Sequence, residues 1–297
     1  MRANSEPHLV YAIIVHYLGI KDTIECINSL IHQTYKNLKI IIVDNASPDQ
    51  GLKIIQQIYP NIEQIINNTN LGAAGGYNTG LKRALETEAK YIYLVNNDTI
   101  SDPEVIHLLV QAIERYEIDI ISPLIYYYNN PQRIWSAGGN VCPLTLDMID
   151  NHGRGKSFID ITRRDFLTTC AMMFRREVLE NIGLFDDRFF CYYDDADYSL
   201  RATRAGYRLA IEPKAKVWHK VSVSSGGADS PFERYWMGRG SMLYLKKHAK
   251  LWQWLLIIPW RLLSLTKMII TLVLHRKFTS AISYLKGIYY GILFQSK

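Results

Sequence analysis

The sequence predicts an α/β protein built on a mostly parallel, doubly wound sheet. Over the first 120 residues, short continuous apolar runs alternate with stretches of helical periodicity, and helix-start residues follow the ends of the runs. Leu9 to Val15 is the first such run, as expected of a strand covered on both faces. Asp22-Thr23-Ile24-Glu25 then reads as an N-cap with its partner three residues on, and Ile24, Ile27, Leu30 and Ile31 form an apolar helical stripe. Lys39 to Val43 is a second strand ending at Asp44. Ser47-Pro48 supplies an N-cap and a first-turn proline for a helix bearing Leu52, Ile55 and Ile58.

Ile62 to Ile66 is the third strand and Tyr91 to Val95 the fourth. Asp102-Pro103 then opens a helix with Val105, Ile106, Leu109, Val110 and Ile113 inward. From Ile118 to Asp165 the pattern is irregular and β-rich, and the aromatics Tyr126 to Tyr128 and Trp135 are available either to stack on a sugar or to fill core. Phe166 to Phe174 reads as a strand, followed by a short helix that Gly183 stops. Asp195 to Ala205 reads as a helix closed by Gly206, with strands over Arg208 to Ile211 and Ala215 to Trp218.

With 297 residues, 48% of them apolar, the chain can bury a sizeable core. Its four cysteines lack paired or metal-type spacing and read as reduced thiols, and the polar start Met1 to His8 carries no secretory signal. The net charge of +6 is unevenly divided. No Asp or Glu follows Glu233, whereas Arg234 to Lys297 holds 11 of the 34 Lys and Arg residues. The remaining 23 basic residues face all 28 acidic ones, which leaves the first 233 residues at about −5. Basic charge lies away from the chemistry, which argues against a nucleic-acid partner.

Tyr17, Asp44, Asn70 and Asp98 all fall just past strand ends and are expected in one crevice, because ligands of such sheets bind beyond the carboxyl ends of the strands. Asp44 reads equally well as a turn residue or helix cap. The stretch Asn70 to Gly80 follows a strand and opens a helix, where Gly72 and its neighbours would let backbone N–H groups approach phosphate oxygens. It follows the third strand, not the first, which sets a nicotinamide oxidoreductase behind. Asp194, Asp195 and Asp197 crowd a helix start, where the macrodipole favours ionised carboxylates. Such a carboxylate can act as a general base, worth roughly 100- to 10,000-fold in rate. Asp98 and His219 suit a divalent cation, with Asn96 a weaker neighbour. Asp197 reads equally well as a helix cap.

Taken in order, these segments resemble the bacterial family 2 inverting glycosyltransferases, which have the GT-A fold. The resemblance runs over about residues 9 to 247. Ile13 to Tyr17 looks like that family's first strand and nucleotide-contacting turn, and Ile42 to Ser47 like the segment whose aspartate reads the base, here Asp44. Asn70 to Asn78 resembles the donor loop, and Asn96-Asn97-Asp98 stands where the family has its metal-binding DxD, with Asn replacing the first acid. Phe185 to Arg201 looks like the acceptor-side block, which implies Asp195 as base with Asp194 beside it, and Asp197 and Arg201 toward the acceptor; Trp135, among the aromatics able to stack on a sugar, is expected on the acceptor side as well. Trp218-His219 resembles the metal-binding histidine of the rhamnosyl- and galactofuranosyltransferase-like branch.

The resemblance implies a nucleoside-diphospho-sugar donor (dTDP or UDP), Mg²⁺ or Mn²⁺ as cofactor, and a glycan or lipid-linked glycan acceptor. Rhamnose transfer in cell-surface polysaccharide synthesis is the expectation, with UDP-linked galactofuranose as the alternative. A non-catalytic sugar-nucleotide-binding subunit is a reading of another class, supported by the Asn at position 96. A homo-oligomer is left open.

Residues 1–245 are expected to form the catalytic domain and 246–297 a basic, amphipathic helical tail. Leu251 to Leu274 is apolar enough to span a membrane, but Pro259, Arg261 and Lys267 interrupt it, and each central charge costs about 2.5–3.5 kcal/mol. Arg261, Ser264, Lys267, Thr271 and His275 recur at spacings of 3, 3, 4 and 4, which draws one polar stripe. Trp252, Trp254 and Trp260 suit an interface. The expectation is a helix lying in the membrane plane, followed by a second over Phe278 to Phe294, on a protein peripheral to the cytoplasmic face. A helical hairpin packed on protein is the alternative.

Overall fold

A computed structural model describes residues 7–150, 158–221 and 226–294. Strand and helix alternate as the periodicity demands: β1 (Val10–His16), α1 (Ile20–Ile31), β2 (Leu38–Asp44), α2 (Gly51–Ile58), β3 (Glu63–Ile66), α3 (Gly72–Leu85) and β4 (Tyr91–Asn96). A short β5 (Thr99–Ser101) and α4 (Val105–Tyr116) follow. The irregular region resolves into β6 (Ile120–Tyr127), β7 (Asn130–Ser136), β8 (Gly139–Val141), β9 (Met148–Asp150) and β10 (Thr162–Arg164). Then come β11 (Ala171–Arg175), α5 (Arg176–Ile182), α6 (Asp194–Arg204), β12 (Leu209–His219), α7 (Pro231–His248), α8 (Trp254–Leu274) and α9 (Phe278–Leu293).

The central sheet runs β10-β12-β6-β11-β4-β1-β2-β3, with β5 on β12 and β7 on β6. Strands β3, β2, β1 and β4 are parallel neighbours, whereas β11 lies antiparallel between β4 and β6. One face carries the core of Ile27, Leu30, Ile106 and Leu109 from α1 and α4, the other that of Tyr77, Leu81, Leu179 and Tyr198 from α3, α5 and α6. Both faces are covered, which is why the strands read as continuous apolar runs.

Several boundaries differ from expectation for physical reasons. Helix α1 starts from Gly19 in the left-handed region (φ 76°), and Asp22 sits inside it, drawn into an ion pair with Lys220. Ser47 does not cap α2. Its hydroxyl donates to Asp49 Oδ1, and the helix begins at Gly51, where a Cβ would stand 2.5 Å from the His16 ring. The strand expected from Phe166 begins only at Ala171, and the two short strands after Arg208 are one strand with a register shift between Glu212 and Lys216.

Helix α7 runs across position 245, so the tail continues from the catalytic unit. Helix α9 packs on α7 through glycines, because a Cβ at Gly238 would meet Tyr284 O at 2.6 Å and one at Gly287 would meet Tyr235 O at 2.1 Å. Leu251–Leu274 is long and apolar enough to cross a membrane, with a mean hydropathy of 1.7. Its polar stripe does not face water as a whole. Arg261 and Ser264 lie on the half-buried side with Ile257 and Leu272, while Leu255, Leu263 and Leu274 are 80%, 64% and 76% exposed.

Candidate active site

The chain order β1, β2, β3 advances to one side of β1 and then returns to place β4 on the other, so the sheet reverses direction between β1 and β4. That reversal opens a crevice at the carboxyl ends of the strands. Half-buried Tyr17 follows β1 there, Asp44 ends β2, and Asn96 ends β4. His16 and Asp44 pair in register at the adjoining strand ends. Asp44 Oδ1 accepts from the Ser47 amide at 2.8 Å, so it does serve as a turn residue while it stands at this edge.

Two residues at this edge were not singled out by the sequence. His16 is buried, with Nδ1 2.8 Å from Thr23 Oγ1 and Nε2 3.1 Å from Asp49 Oδ1, and it braces the turns after β1 and β2 against each other. Asn45 is a buried hub. Its Nδ2 donates to Asn70 Oδ1 and Gly72 O, and its Oδ1 accepts from Asn67 Nδ2 and the Leu71 amide. A buried side chain making four hydrogen bonds fixes the loop that it serves. The only sequence signal for Asn45 is an amide directly after a strand-ending aspartate.

The glycine-rich loop is a packing device in this structure, which corrects the phosphate-cradle reading of Gly72. The Gly72 amide donates to Asn70 Oδ1 and the Ala73 amide to Phe190 O, so the first amides of α3 are already engaged. Gly72 has φ 74°, and a Cβ there would stand 2.0 Å from Phe190 O. Gly76 and Gly80 bring α3 down onto Val15 and Ile13. Asn78 is likewise turned away from a donor role, because its side chain brackets the backbone of Phe185, donating to its carbonyl and accepting from its amide. The loop therefore joins the strand edge to the acidic block.

Strand β12 lies antiparallel to β5 with His219 opposite Thr99, which carries the histidine to Asp98. His219 Nε2 is 3.1 Å from Asp98 Oδ1, and both residues are buried. The opposite ring nitrogen, Nδ1, is buried with no hydrogen-bond partner among the described residues, so the imidazole's polar contact is made on the Asp98 side. Trp135 packs edge-on against the same ring at 4.5 Å, which gives it a place at the pair and not at a separate acceptor face. Asn96 Oδ1 accepts from the Tyr77 hydroxyl at 2.8 Å, and Asn97 Nδ2 ties the segment to Leu18 O and Thr23 Oγ1.

Two donors set about 2.1–2.2 Å from one ion at right angles stand roughly 3 Å apart, so the carboxylate and imidazole fit adjacent positions on a divalent cation. No cluster of three or more His, Cys, Asp or Glu suited to a metal occurs among the described residues. A cation here would thus complete its shell with oxygens from a ligand or water, as magnesium-type ions do beside substrate phosphates.

The acidic block starts α6 after two consecutive residues with left-handed backbone, Tyr192 (φ 63°) and Tyr193 (φ 66°). Such conformations cost of order 1–3 kcal/mol each and persist only where surrounding structure holds them. Gly240 of α7 does so, since a Cβ there would crowd Tyr192 O at 3.0 Å. Asp194 is 3% exposed, and its Oδ2 has no hydrogen-bond partner among the described residues. Burial, reinforced by the neighbouring Asp195 charge, pushes the Asp194 carboxyl well above the usual range. Asp195 is half-buried. Burial thereby disfavours the charge of one carboxyl beside another in contact with solvent, a division of environments typical of acid–base sites.

Asp197 and Arg201 are corrected. Asp197 is fully buried and bound to Arg201 Nε at 2.9 Å and to Lys247 Nζ and His248 Nε2 at 2.7 Å each. Burial alone would raise its carboxyl, but the hydrogen bonds from His248 and Lys247 outweigh it and hold the group low. The other Arg201 nitrogens donate to Ile182 O and Leu184 O. These two residues fasten α6 to its neighbours. The Asp98–His219 pair and the acidic block both act electrostatically on two buried groups. Burial raises the Tyr77 phenol, which lies within electrostatic reach of Asp194 and Asp98, and the Cys170 thiol, which feels Asp98 and Asp195.

Residues 11–183 match the family described as Glycosyl transferase family 2. The chain is 26% identical over 208 residues to a protein named uncharacterized glycosyltransferase EpsJ of Bacillus subtilis, covering 67% of this chain and 58% of that one. It is 25% identical over 253 residues to dTDP-rhamnosyl transferase RfbF of Shigella flexneri, covering 80% of each. Galactofuranosyltransferase GlfT1 of Mycobacterium tuberculosis is 26% identical over 207 residues, covering 66% of this chain and 65% of the relative. Among solved structures, mannosyltransferase PcManGT of Pyrobaculum calidifontis with GDP-Man and Mn²⁺ superposes with a TM-score of 0.61 at 14% identity, covering 98% of this chain and 88% of that one. GalNAc-T7 with UDP, GalNAc and Mn²⁺ gives 0.61 at 15% identity, covering 80% of this chain and 48% of that one.

Proposed function

The chain belongs to glycosyl transferase family 2 and has the GT-A fold, and from that premise we propose that it is a metal-dependent inverting glycosyltransferase. The observation that carries the reading is the Asp98–His219 pair, held 3.1 Å apart where β12 meets β5. Tyr17 and Asp44 are assigned to the nucleotide, and Asn70 and Asn96 to the walls that shape its crevice. Asp98 Oδ1 and His219 Nε2 would hold Mg²⁺ or Mn²⁺, which when bound supplies Lewis-acid stabilisation of the charge on a departing diphosphate.

Asp195 is the general base. It takes the proton of an acceptor hydroxyl as that oxygen bonds to the anomeric carbon from the face opposite the nucleotide. The bond from carbon to diphosphate oxygen breaks with its electron pair leaving on the diphosphate, and configuration inverts. Burial disfavours a negative charge on Asp194 beside the base. Trp135 holds the His219 ring in place.

The proposed donor is a dTDP-linked deoxyhexose, rhamnose first, because the relative named for that sugar aligns over 80% of both chains. UDP-linked galactofuranose is the second reading, supported by the GlfT1 relatives. The acceptor is proposed to be a lipid-linked glycan in surface polysaccharide synthesis on the cytoplasmic face. Support for a membrane comes from residues 246–294. The outer faces of α8 and α9 expose Leu255, Trp260, Leu263, Phe278 and Tyr289, and Lys250, Lys267, Arg276 and Lys286 are exposed among them. An apolar face rimmed by basic residues, on a segment without Asp or Glu, matches an anionic bilayer surface, where each basic residue contributes about 1 kcal/mol.

The test uses dTDP-rhamnose and UDP-galactofuranose with Mn²⁺, first by thermal shift and then by nucleotide release. Asp195→Asn should lower turnover by roughly 100- to 10,000-fold with donor affinity changed only a few fold. Turnover near that of the unaltered protein would remove Asp195 as base.

A further inference from the structure

Asp98 and His219 stand where their strands give out: Asp98 comes one residue before β5, and His219 is the last residue of β12. Strand ends open at little cost in free energy unless something ties them down. Two backbone bonds reach past the ends here, from the Lys220 amide to Asp98 O at 3.0 Å and from the Tyr128 amide to His219 O at 2.9 Å. The stronger tie is to α1. Lys220, directly after His219, crosses to that helix, where its ammonium donates to Asp22 Oδ1 and, at 2.8 Å, to Glu25 Oε2. The Lys220 and Asp22 side chains are only 13% and 19% exposed, so salt screens this pair less than a surface pair. Thr23, next to Asp22, holds the other arm, because its Oγ1 accepts from Asn97 Nδ2 at 3.0 Å and Asn97 directly precedes Asp98. Two consecutive residues in the first turn of α1 thus grip the chain neighbours of both proposed ligands.

We propose that Lys220 is a positioning residue: by fastening the end of β12 to α1, it holds His219 close enough to Asp98 for both to meet one divalent cation. An ammonium beside a cation site is otherwise unfavourable, since like charges repel. Its charge is taken up by Asp22 and Glu25, and its stem passes Tyr128, whose ring centroid lies 5.2 Å from Nζ. The two roles a lysine could have here predict opposite signs. As a mere charge, its removal would strengthen cation binding; as a tie, its removal weakens it. The inference rests on the reading of Asp98 and His219 as ligands, and the experiment separates the two.

The experiment is calorimetric titration of the full chain with Mn²⁺ in the presence of UDP, paired with pulsed electron paramagnetic resonance, which registers imidazole nitrogen on the ion. Unaltered protein should show the nitrogen signal and His219→Ala should lack it. Lys220→Met should bind Mn²⁺ about tenfold more weakly or worse, with the nitrogen signal reduced, as for loss of a group that orients a ligand. Lys220→Arg, which keeps the charge and can bridge two carboxylates, should recover most of both. Without metal, hydrogen exchange at the Tyr128 and Lys220 amides should be faster in Lys220→Met and slowed again in Lys220→Arg. Equal or tighter Mn²⁺ binding by Lys220→Met with the nitrogen signal intact would overturn the positioning role. So would a loss that tracks a lowered urea midpoint and is not recovered by arginine, which would assign Lys220 to stability alone. Absence of the nitrogen signal from the unaltered protein would instead sink the reading of His219 as a ligand, a result visible before any variant is made.

Discussion

Replacing Gly72 by alanine tests the seam between the glycine-rich loop and the acidic block. At φ 74° a non-glycine residue costs about 1–2 kcal/mol. The new Cβ would lie 2.0 Å from Phe190 O, which is a backbone atom and cannot rotate away as a side chain could. Relief requires the loop and the 190 segment to separate, which breaks the Ala73 N–H to Phe190 O bond of 2.7 Å. Losing that bond while both groups stay shielded costs about a further 1–3 kcal/mol. The total is roughly 2–5 kcal/mol, a large fraction of a domain's stability. Gly206→Ala is the control, because Gly206 also has positive φ (90°) but has nothing within 4 Å of a Cβ. Urea denaturation of the two variants should separate them by about 1–3 kcal/mol, the contribution of the collision alone. Equal destabilisation would refute the claim that the loop is clamped to Phe190, and with it the packing role assigned to the glycines.

His219→Ala removes one of two protein donors and should weaken Mn²⁺ binding by at least about 10- to 100-fold in calorimetric titration with UDP present; unchanged affinity would dismiss the pair as a metal site. Asp194→Asn probes the buried carboxyl through pH. Because its folded-state pKa is raised above the unfolded value of about 3.9, the folded protein holds a proton that the unfolded chain releases. Its stabilising protonation is complete below that value and is lost as pH rises through the raised folded pKa, so the stability advantage of the non-titrating variant should grow with pH. A difference that is flat from about pH 4 upward would show that Asp194 is not held neutral.

The central sheet was legible because each strand is buried on both faces and each helix has one apolar stripe, so burial writes itself into periodicity. Asp98 and His219 were legible as chemistry, but their 3.1 Å approach depends on β5 pairing with β12 across more than a hundred residues. Gly72 and Asn78 were misread because the sequence shows that glycine permits close approach without showing what approaches. Here it is the Phe190 carbonyl, and Asn78 is taken by the Phe185 backbone. Asp197 was misread because its partners Lys247 and His248 lie fifty residues downstream. Ser47 shows the same limit locally, since its hydroxyl is engaged with Asp49 and the Leu18 amide and the helix begins only at Gly51.

The glycine seam between α7 and α9 decides how the tail can be dissected. A chain cut near position 245 would lose Lys247 and His248, leaving Asp197 as a buried charge short of two partners, and would uncover the α7 backbone at Gly238. Shortened proteins would thus fail through unfolding of α6, whatever the outer helices bind. Charged replacements at Leu255, Leu263 or Phe278, which face outward, leave that seam whole and report on lipid alone.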